Sequence, residues 1–312
     1  MAATRALLFD GRWHFQHGPI DLVIGAFGDV DAIALAHKAA WHRFETVLPE
    51  LVAELAVLRQ PLPLAGSLMD TSERLAGAIA QRMWQACAPY RAGYITPMAA
   101  VAGAVAQEII TCYQGPGIQR AWVNNGGDIA FHLTPGATLR VGLFSDSGTL
   151  PSAWRNPQGM PTDAQCELCF DSPVRGIATS GWRGRSFSRG IADSVTVMAA
   201  TAAQADAAAT VIANAVNVAH PGIGRQPACE VKDDSDLGAL LVTVDVPRLP
   251  DAAVRQALFA GFAKAQALQQ RGLIVSATLV CQGQWCETNL SSPQSQVPLK
   301  FTVPVQVGSV FA

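Results

Sequence analysis

The segment from Ala200 to Asn217, ATAAQADAAATVIANAVN, constrains the fold of this chain more than any other stretch of its sequence. Its high alanine content predicts an α-helix. Four polar side chains recur along it at steps of four, four and three residues, namely Asp206, Thr210, Asn214 and Asn217. Because residues three or four apart lie on one face of a helix, these side chains form a single polar stripe. A carboxylate, a hydroxyl and two amides suit a buried network, a metal ion or a bound ligand.

The start of this helix is also readable from the sequence. Thr201 is placed to cap the first turn, and Gln204 stands at the third helical position, as in a capping box. Asp206 then lies within the first two turns, where the helix dipole favours a negative charge. A structural role for the polar stripe therefore stays open, with Asp206 complementing the dipole and the other members packing against a neighbouring strand.

The composition bounds the class of protein. The chain has 312 residues, of which half are hydrophobic and 15% are charged, so we expect one large domain or two closely joined ones. A net charge of −2 leaves no basic surplus, and we expect neither a nucleic acid nor a membrane as partner. The sequence opens without a signal-peptide pattern, and no apolar run reaches the roughly 20 residues that span a bilayer. We therefore expect a cytoplasmic location.

The cysteines favour reduced thiols over a metal site. There are seven, which is an odd number, and thiols are usually reduced in the cytoplasm. Cys166 and Cys169 have the spacing of a metal knuckle or a redox pair. They fall in an apparent strand, however, where positions three apart point to opposite faces. We expect them to be ordinary thiols.

Strand-like and helix-like patterns are mixed along the chain without strict alternation, which favours an α+β fold over a doubly wound sheet. The predicted helices cover residues 30–58, 71–87, 200–217 and 250–270, and another starts at Thr96-Pro97. The predicted strands cover residues 5–16 and 119–133 as hairpins, and 21–27, 138–144, 166–179, 194–199, 237–246, 273–280 and 299–307. Residues 145–165, rich in Ser, Pro and Gly, are interpreted as a surface insertion or a lid.

Three loops carry residues suited to a ligand site. Residues 123–129, VNNGGDI, have paired glycines that allow positive φ and close approach of a ligand, although a plain Asn-Gly hairpin has the same pattern. Residues 178–190 hold three arginines, three serines and three glycines, which suits a phosphate or carboxylate but also an exposed loop. Residues 191–197 contain Asp193, either a turn residue or a second carboxylate for a hard oxygen site that suits Mg²⁺.

The order of these motifs resembles the ApbE-like superfamily. The motifs are Asn-Asn-Gly-Gly-Asp-Ile at 124–129, Ala-Thr-Ser-Gly at 178–181, Asp-Ser-Val-Thr-Val at 193–197 and Ala-Asp-Ala-Ala-Ala-Thr at 205–210. A short branch of UPF type, without export signals, is the nearer match, on residues 96–106, 184–193 and 233–238. The resemblance covers residues 21–280 and implies an α+β fold of two intimately packed lobes, with mainly antiparallel sheets flanked by helices.

The resemblance also implies a chemistry. Characterised members of the superfamily are FAD:protein FMN transferases, which bind FAD, use Mg²⁺, cleave the pyrophosphate and move FMN to a threonine of a partner protein. Asp206 and Thr210 match the metal-binding pair of that superfamily, which implies Mg²⁺ and FAD or FMN as cofactors and a small molecule as ligand. The candidate cofactor-binding residues are Asn125, Gly126, Gly127, Asp128, Thr179, Ser180, Gly181 and Arg189, and the catalytic candidates are Asp193 and Arg185.

Two segments depart from the transferase pattern. Transferases of this type carry a segment similar to His-Ile-Ile-Asp-Pro-Arg-Thr-Gly where this chain has Arg189-Gly-Ile-Ala-Asp193, and their Lys-Gly pair is replaced by residues 98–103. Three functions therefore stay open. They are Mg²⁺-dependent pyrophosphate or flavin-transfer chemistry, ligand binding without a transfer reaction, and catalysis on an unphosphorylated carboxylate metabolite in the same pocket.

The expected organisation is a single domain over residues 1–290, with two lobes as an alternative, followed by a C-terminal extension with a strand over residues 291–312. The predicted helix after Thr96-Pro97 is lined with Ala and Gly, which suits very close packing. Packing inside the monomer and packing across a homodimer both fit that composition.

Overall fold

The computed structural model describes residues 2–67, 72–143 and 164–288. The strands in these residues are β1 (Thr4–Leu7), β2 (Trp13–His17), β3 (Ile20–Gly28), β4 (Ile118–Asn125), β5 (Asp128–Leu133), β6 (Thr138–Leu143), β7 (Ala164–Cys169), β8 (Gly176–Ser180), β9 (Ser194–Ala199), β10 (Gly224–Pro227), β11 (Leu241–Asp245), β12 (Ser276–Cys281) and β13 (Gln284–Glu287). The helices are α1 (Val30–Ala53), α2 (Leu55–Leu58), α3 (Ala78–Cys87), α4 (Val101–Ile110), α5 (Ala202–Ala215), α6 (Ala228–Val231) and α7 (Asp251–Gln270).

The strand pairs whose register is defined are all antiparallel. The predicted α+β fold with mainly antiparallel sheets is therefore confirmed. Within residues 2–67, 72–143 and 164–288, no helix combines the length and the apolar character needed to cross a membrane.

Contacts divide the chain into two compact units. Unit 1 comprises Met1–Leu139, Cys169–Ala178 and Ala199–Ala207, and unit 2 comprises Arg140–Leu168, Thr179–Met198 and Ala208–Ala312. The chain passes from one unit to the other inside β6, β7, β8, β9 and α5. Unit 1 is therefore assembled from three separate stretches of the sequence. The expected domain over residues 1–290 stays a prediction.

Unit 1 is built on an antiparallel sheet in the order β1-β2-β3-β4-β5, with the start of β8 paired to β5. Alternate residues of its strands form the core, and Phe15, Leu22, Ile24 and Val123 are completely buried. The ring of Phe15 lies 5.4 Å from that of Phe44 on α1, so the core lies between the sheet and this helix. Each such side chain contributes about 1.5–3 kcal/mol of hydrophobic stabilisation.

Ionic hydrogen bonds connect three helices of unit 1. Arg43 on α1 donates from Nε to Glu108 on α4 at 2.7 Å, and Arg82 on α3 donates to the other oxygen of Glu108 at 2.8 Å. Burial raises the pKa of Glu108, but hydrogen bonds from Arg43 and Arg82 outweigh it and hold that pKa below its ordinary value. Glu108 therefore stays charged and fixes the direction of α4.

Unit 2 has its own antiparallel strands. β9 pairs with β12, and β12 pairs with β13. A Cβ added to Gly261 on α7 would overlap the side chain of Val216 and lie 2.8 Å from Leu279 Cδ2 on β12, so this helix packs closely against the strand. β10 and β11 form a separate two-stranded sheet.

Several predicted elements are confirmed. The alanine-rich segment is α5, and the Thr201 hydroxyl accepts a hydrogen bond from the Gln204 N–H at 3.3 Å, as the predicted cap requires. The two predicted hairpins are β1–β2 and β4–β5, and the helix predicted over residues 250–270 is α7. Cys166 is buried, Cys169 is half-buried, and all seven cysteines are free.

Other boundaries were predicted wrongly, and each error has a physical cause. The helix expected over residues 30–58 breaks at Glu54, whose carboxylate turns away to accept from the N–H groups of Ala76 and Gly77. Gly77 is extended, so the helix expected from residue 71 begins only at Ala78. The strand expected over residues 166–179 is two strands, because a turn forms where the Ser172 N–H donates to Cys169.

Three expectations lie wholly or mostly outside the described residues. They are the strand over residues 299–307, the extension over residues 291–312 and the insertion over residues 145–165, of which the structure describes only the end from residue 164.

Candidate functional site

Asp206 lies in unit 1 against the start of α4. The N–H of Gly103 donates to its Oδ2 at 2.9 Å. A Cβ on Gly103 would overlap the carbonyl oxygen of Ala202 and lie 2.9 Å from the Cβ of Asp206. Because only glycine permits this approach, the small residues of α4 bring its backbone N–H groups to the carboxylate. The resulting contact holds α4 against the first half of α5.

The β4–β5 turn contributes a second set of groups to the same part of unit 1. The side-chain amide of Asn125 donates to the carbonyl of Ala102 at 3.1 Å, which ties the turn to α4. The N–H of Gly127 donates to Asn124 Oδ1 at 2.8 Å. Gly126 and Gly127 have φ values of 66° and 113°, which a residue with a side chain rarely adopts. A β-carbon on Gly127 would meet no atom within 4 Å, so the turn borders open space.

The electrostatics of Asp206 are unusual. Burial first, and the neighbouring carboxylate of Asp128 second, raise the pKa of Asp206 well above its ordinary value, despite hydrogen bonds from the backbone of Gly103 and Ala102. Within the described residues, no Lys, Arg or His forms an ion pair with Asp206. Such a carboxylate needs a proton or a cation from elsewhere. We call Asp206, Asp128 and the backbone of Ala102 and Gly103 the acidic cradle.

Thr210 follows Asp206 by one turn on α5 and is half-buried. Its hydroxyl makes no side-chain hydrogen bond to the part of the chain that the structure describes. Across the same residues, no group of three or more His, Cys, Asp and Glu side chains could hold a metal ion. A cation at the acidic cradle would therefore need oxygen ligands beyond the carboxylates, and a metal-binding role for Thr210 stays a prediction.

The other half of the polar stripe lies in unit 2 and supports a loop. Asn214 Oδ1 accepts from the N–H of Arg189 at 2.7 Å and from the hydroxyl of Ser188 at 3.2 Å. Asn217 donates to the carbonyl of Arg189 at 3.3 Å and accepts from Arg225 at 2.6 Å. These two asparagines therefore serve the backbone of the loop before β9.

Asp193 is also held by the protein. Its carboxylate accepts from the N–H of Gln282 and from the indole N–H of Trp182, the latter at 3.4 Å. Gln282 has a positive φ of 46° and its side chain bonds Pro247 and Leu249, so it links the β12–β13 turn to Asp193. A catalytic role for Asp193 stays a prediction; its partners place it at a junction of unit 2.

The remaining candidates of unit 2 lie at the end of β8 and on the loop between β8 and β9. Thr179 lies 3.0 Å, oxygen to oxygen, from Thr196, and Ser180 is half-buried. Gly181 packs so closely against the carbonyl of Asp193 that a side chain would overlap it. Arg185 and Arg189 are exposed, which suits capture of an anion. Their roles stay predictions.

The comparisons with known proteins decide the family. A family model described as "AbpE bacteria" matches residues 5–287. The chain belongs to that family.

Curated relatives agree with the family assignment. A UPF0280 protein of Methanothermobacter thermautotrophicus is 39% identical over 128 residues, which are 41% of this chain and 45% of that protein. A UPF0280 protein of Methanothrix thermoacetophila is 34% identical over 168 residues, or 54% of this chain and 63% of that protein. The chain thus spans about half the length of the curated relatives that it matches. The resemblance to the ApbE-like superfamily and its UPF branch is confirmed.

Two solved structures are also similar. The apo form of the Pseudomonas stutzeri flavinyl transferase ApbE has a TM-score of 0.37 at 13% identity, covering 92% of this chain and 93% of that one. The ApbE protein from Thermotoga maritima has a TM-score of 0.41 at 12% identity, covering 93% of this chain and 96% of that one.

Sequence reasoning missed some residues that build the site of this family member. The glycine content of the helix around Gly103 indicated close packing, but not that its N–H is a direct partner of Asp206. Cys87 is buried nearby, and burial first and Asp206 second raise the pKa of its thiol. The lone glycine inside an apolar helix was the available signal, since it indicates close backbone approach. Nothing in the sequence marked Cys87.

Proposed function

We propose that the chain binds a flavin or another phosphorylated, anionic small molecule and carries out Mg²⁺-dependent pyrophosphate or flavin-transfer chemistry on it, with Mg²⁺ held by Asp206 and Thr210. The observation that supports it best is the half-buried carboxylate of Asp206, which accepts from Gly103, has a pKa raised by its surroundings and by Asp128, and has no cationic partner among the described residues. A proton or a divalent cation would relieve that charge.

The donor set fits a hard cation. Carboxylate and hydroxyl oxygens are the ligands that Mg²⁺ accepts, and Mg²⁺ commonly binds through one or two carboxylates, several waters and the phosphates of a substrate. Two carboxylates and a hydroxyl are therefore sufficient protein ligands. When bound, the ion would neutralise negative charge on phosphate oxygens of the ligand.

Other residues of the chain would orient the metal-binding carboxylate and admit the ligand. Gly103 would orient the Asp206 carboxylate through its N–H. The β4–β5 turn, with its two glycines of positive φ, would let the ligand approach the backbone closely. Asn125 would keep that turn against α4 through its bond to Ala102.

The test is calorimetric titration of FAD and FMN into the full chain with and without MgCl₂. We expect Mg²⁺ to strengthen binding at least tenfold in the wild-type protein, and the Asp206→Asn and Thr210→Val variants to lose that gain. Asp233→Asn removes one exposed acidic group and serves as the matched control. Equal Mg²⁺ dependence in wild type and Asp206→Asn would remove the proposal.

A second candidate is ligand binding without a transfer reaction. It is supported by residues 189–193, which stand where the transferases have a His-containing motif. Asn214 and Asn217 bind the backbone of this segment at Arg189, so the structure uses it to hold a loop. Mass spectrometry of a mixture with FAD and Mg²⁺ separates the two candidates. Release of AMP that Asp206→Asn abolishes supports chemistry, whereas Mg²⁺-dependent binding without AMP supports the binding protein. A cytoplasmic location and a homodimer stay predictions.

A further inference from the structure

A groove on unit 1 is used neither by the family resemblance nor by the proposed function. Side chains of β1, β2 and α1 line it, and its volume is about 560 Å³. Two tryptophans, Trp13 and Trp41, contribute to its wall. Pockets of about 300–1,000 Å³ hold small ligands. We call it the tryptophan groove.

Arg5 is held in this groove by aromatic rings alone. The carbon at the centre of its guanidinium lies 4.8 Å from the ring centroid of Trp41 and 5.5 Å from that of Trp13. Its side chain makes no hydrogen bond or ion pair to the described residues. Cation–π contacts with two indoles thus hold the guanidinium, and its N–H groups, which make no hydrogen bond to the described residues, can donate to an anion.

The charge of the groove is a small positive surplus. Lys38 is exposed and forms no ion pair within the described part of the chain. The only carboxylate of the lining is Glu45, which lies 3.5 Å from His42. His37 lies 2.7 Å from the Tyr113 hydroxyl, and burial lowers its pKa, so it adds no charge at neutral pH. Two cations face one carboxylate, which suits a ligand with a single negative charge.

We propose that the tryptophan groove binds a planar aromatic molecule that carries one carboxylate. The fork of Arg5 matches a carboxylate in geometry and takes both of its oxygens. Lys38 adds a second positive charge. The ring of the ligand packs in the groove beside Trp13 and Trp41, where edge-to-face and offset contacts between aromatic rings are favourable. The site lies within unit 1, needs no metal and is independent of the acidic cradle.

The test uses 2-naphthoate as the probe, titrated into the full chain by calorimetry. We expect measurable binding, and at least tenfold weaker binding of two comparison probes. These are 2-naphthamide, which keeps the ring without the charge, and cyclohexanecarboxylate, which keeps the charge without the aromatic ring. A charge-assisted hydrogen bond contributes enough for roughly a tenfold change in affinity.

Variants of the chain identify the group that binds the probe. Arg5→Gln should weaken the binding of 2-naphthoate at least tenfold. Arg5→Lys keeps the charge without the planar fork, so its affinity should lie between those of the wild type and of Arg5→Gln. Arg255→Gln removes an exposed arginine of α7 and should change nothing. Arg5 is exposed, so folding of its variants is checked simply by circular dichroism.

Three results would overturn the proposal. They are no binding of 2-naphthoate, equal affinity for 2-naphthoate and either comparison probe, and an unchanged affinity in Arg5→Gln. Because the probe has neither a flavin nor a phosphate, none of these results depends on the proposed function.

Discussion

Asp206 and Asn214 lie two turns apart on α5, and their side chains have opposite relations to their surroundings. Asn214 accepts two hydrogen bonds from Ser188 and Arg189, so its polar oxygen is satisfied by the protein. Asp206 is half-buried and accepts from Gly103, but its surroundings and the neighbouring Asp128 disfavour the charged form of its carboxylate. The difference teaches that a shared helix face does not give its members a shared role. Asn214, towards one end of the polar stripe, stabilises a loop. Asp206, at the other end, is a carboxylate without a cationic partner among the described residues.

The largest expected effect is a loss of stability in Gly103→Ala, which tests the close contact of α4 with α5 beside Asp206. Gly103→Ala places a Cβ on the carbonyl oxygen of Ala202, and a backbone atom cannot move aside without shifting a helix. We expect a loss of about 3 kcal/mol or more in the free energy of unfolding, measured by urea denaturation. Gly115→Ala is the matched control, since its Cβ would meet nothing within 4 Å. Equal stability of the two variants would contradict the close approach of α4 and α5.

The next effect tests the Asn214 end. Asn214→Ala leaves the hydroxyl of Ser188 and the N–H of Arg189 without their acceptor, and we expect a loss of about 1–3 kcal/mol in the free energy of unfolding. Asn214→Asp keeps the acceptor and should retain most of the stability. Exposed Gln204→Ala gives the baseline for truncating a polar residue of α5. If Asn214→Ala behaved like Gln204→Ala, the asparagine would have no supporting role.

A smaller effect is expected at the partner of Asn217. Arg225 donates to Asn217 at 2.6 Å and to the carbonyl of Arg189 at 2.6 Å. Lysine cannot reproduce this planar fork, so Arg225→Lys should lower the free energy of unfolding by about 1 kcal/mol. Exposed Arg255→Lys is the control. A loss in Arg225→Lys no larger than in Arg255→Lys would show that the fork contributes no stability.

The smallest effect on stability is expected at Asp206, and it separates the two ends of the stripe most sharply. Asparagine keeps an acceptor for the Gly103 N–H and removes the charge that burial and Asp128 disfavour. In metal-free buffer, Asp206→Asn should therefore change the free energy of unfolding by less than about 1 kcal/mol in the destabilising direction. Thermal denaturation with EDTA measures it. A loss as large as that of Asn214→Ala would assign Asp206 a structural role instead.

The sequence predicted α5 well because local signals determine it. Alanine content, the Thr201 cap and the spacing of the polar stripe all act within one helix, and the cap bond to Gln204 is present. The hydrogen-bond partners of the polar stripe could not be predicted, because they lie far away along the chain. Gly103 is the partner of Asp206, and Arg189 is the partner of both asparagines.

One of the errors in element boundaries has the same origin. Glu54 ends α1 because its carboxylate binds the backbone of Ala76 and Gly77, which is a contact between distant residues. The family resemblance supplied the candidate metal pair, which residue patterns alone left equally consistent with a structural role. The contact between Asp193 and the N–H of Gln282 could not be predicted either. It depends on Gln282, whose side chain donates to the carbonyl of Pro247 before α7.

The three-part assembly of unit 1 has a consequence for how the chain acquires its structure. Its sheet and helices are encoded by the first stretch, but the start of β8 that pairs with β5, and the carboxylate that binds Gly103, come from later stretches. During synthesis, the first stretch therefore lacks the strand that pairs with β5 and the carboxylate that binds Gly103 until residue 207 has emerged from the ribosome. Contacts of such wide sequence separation slow folding, so this interval is when the nascent chain is most exposed to misassociation.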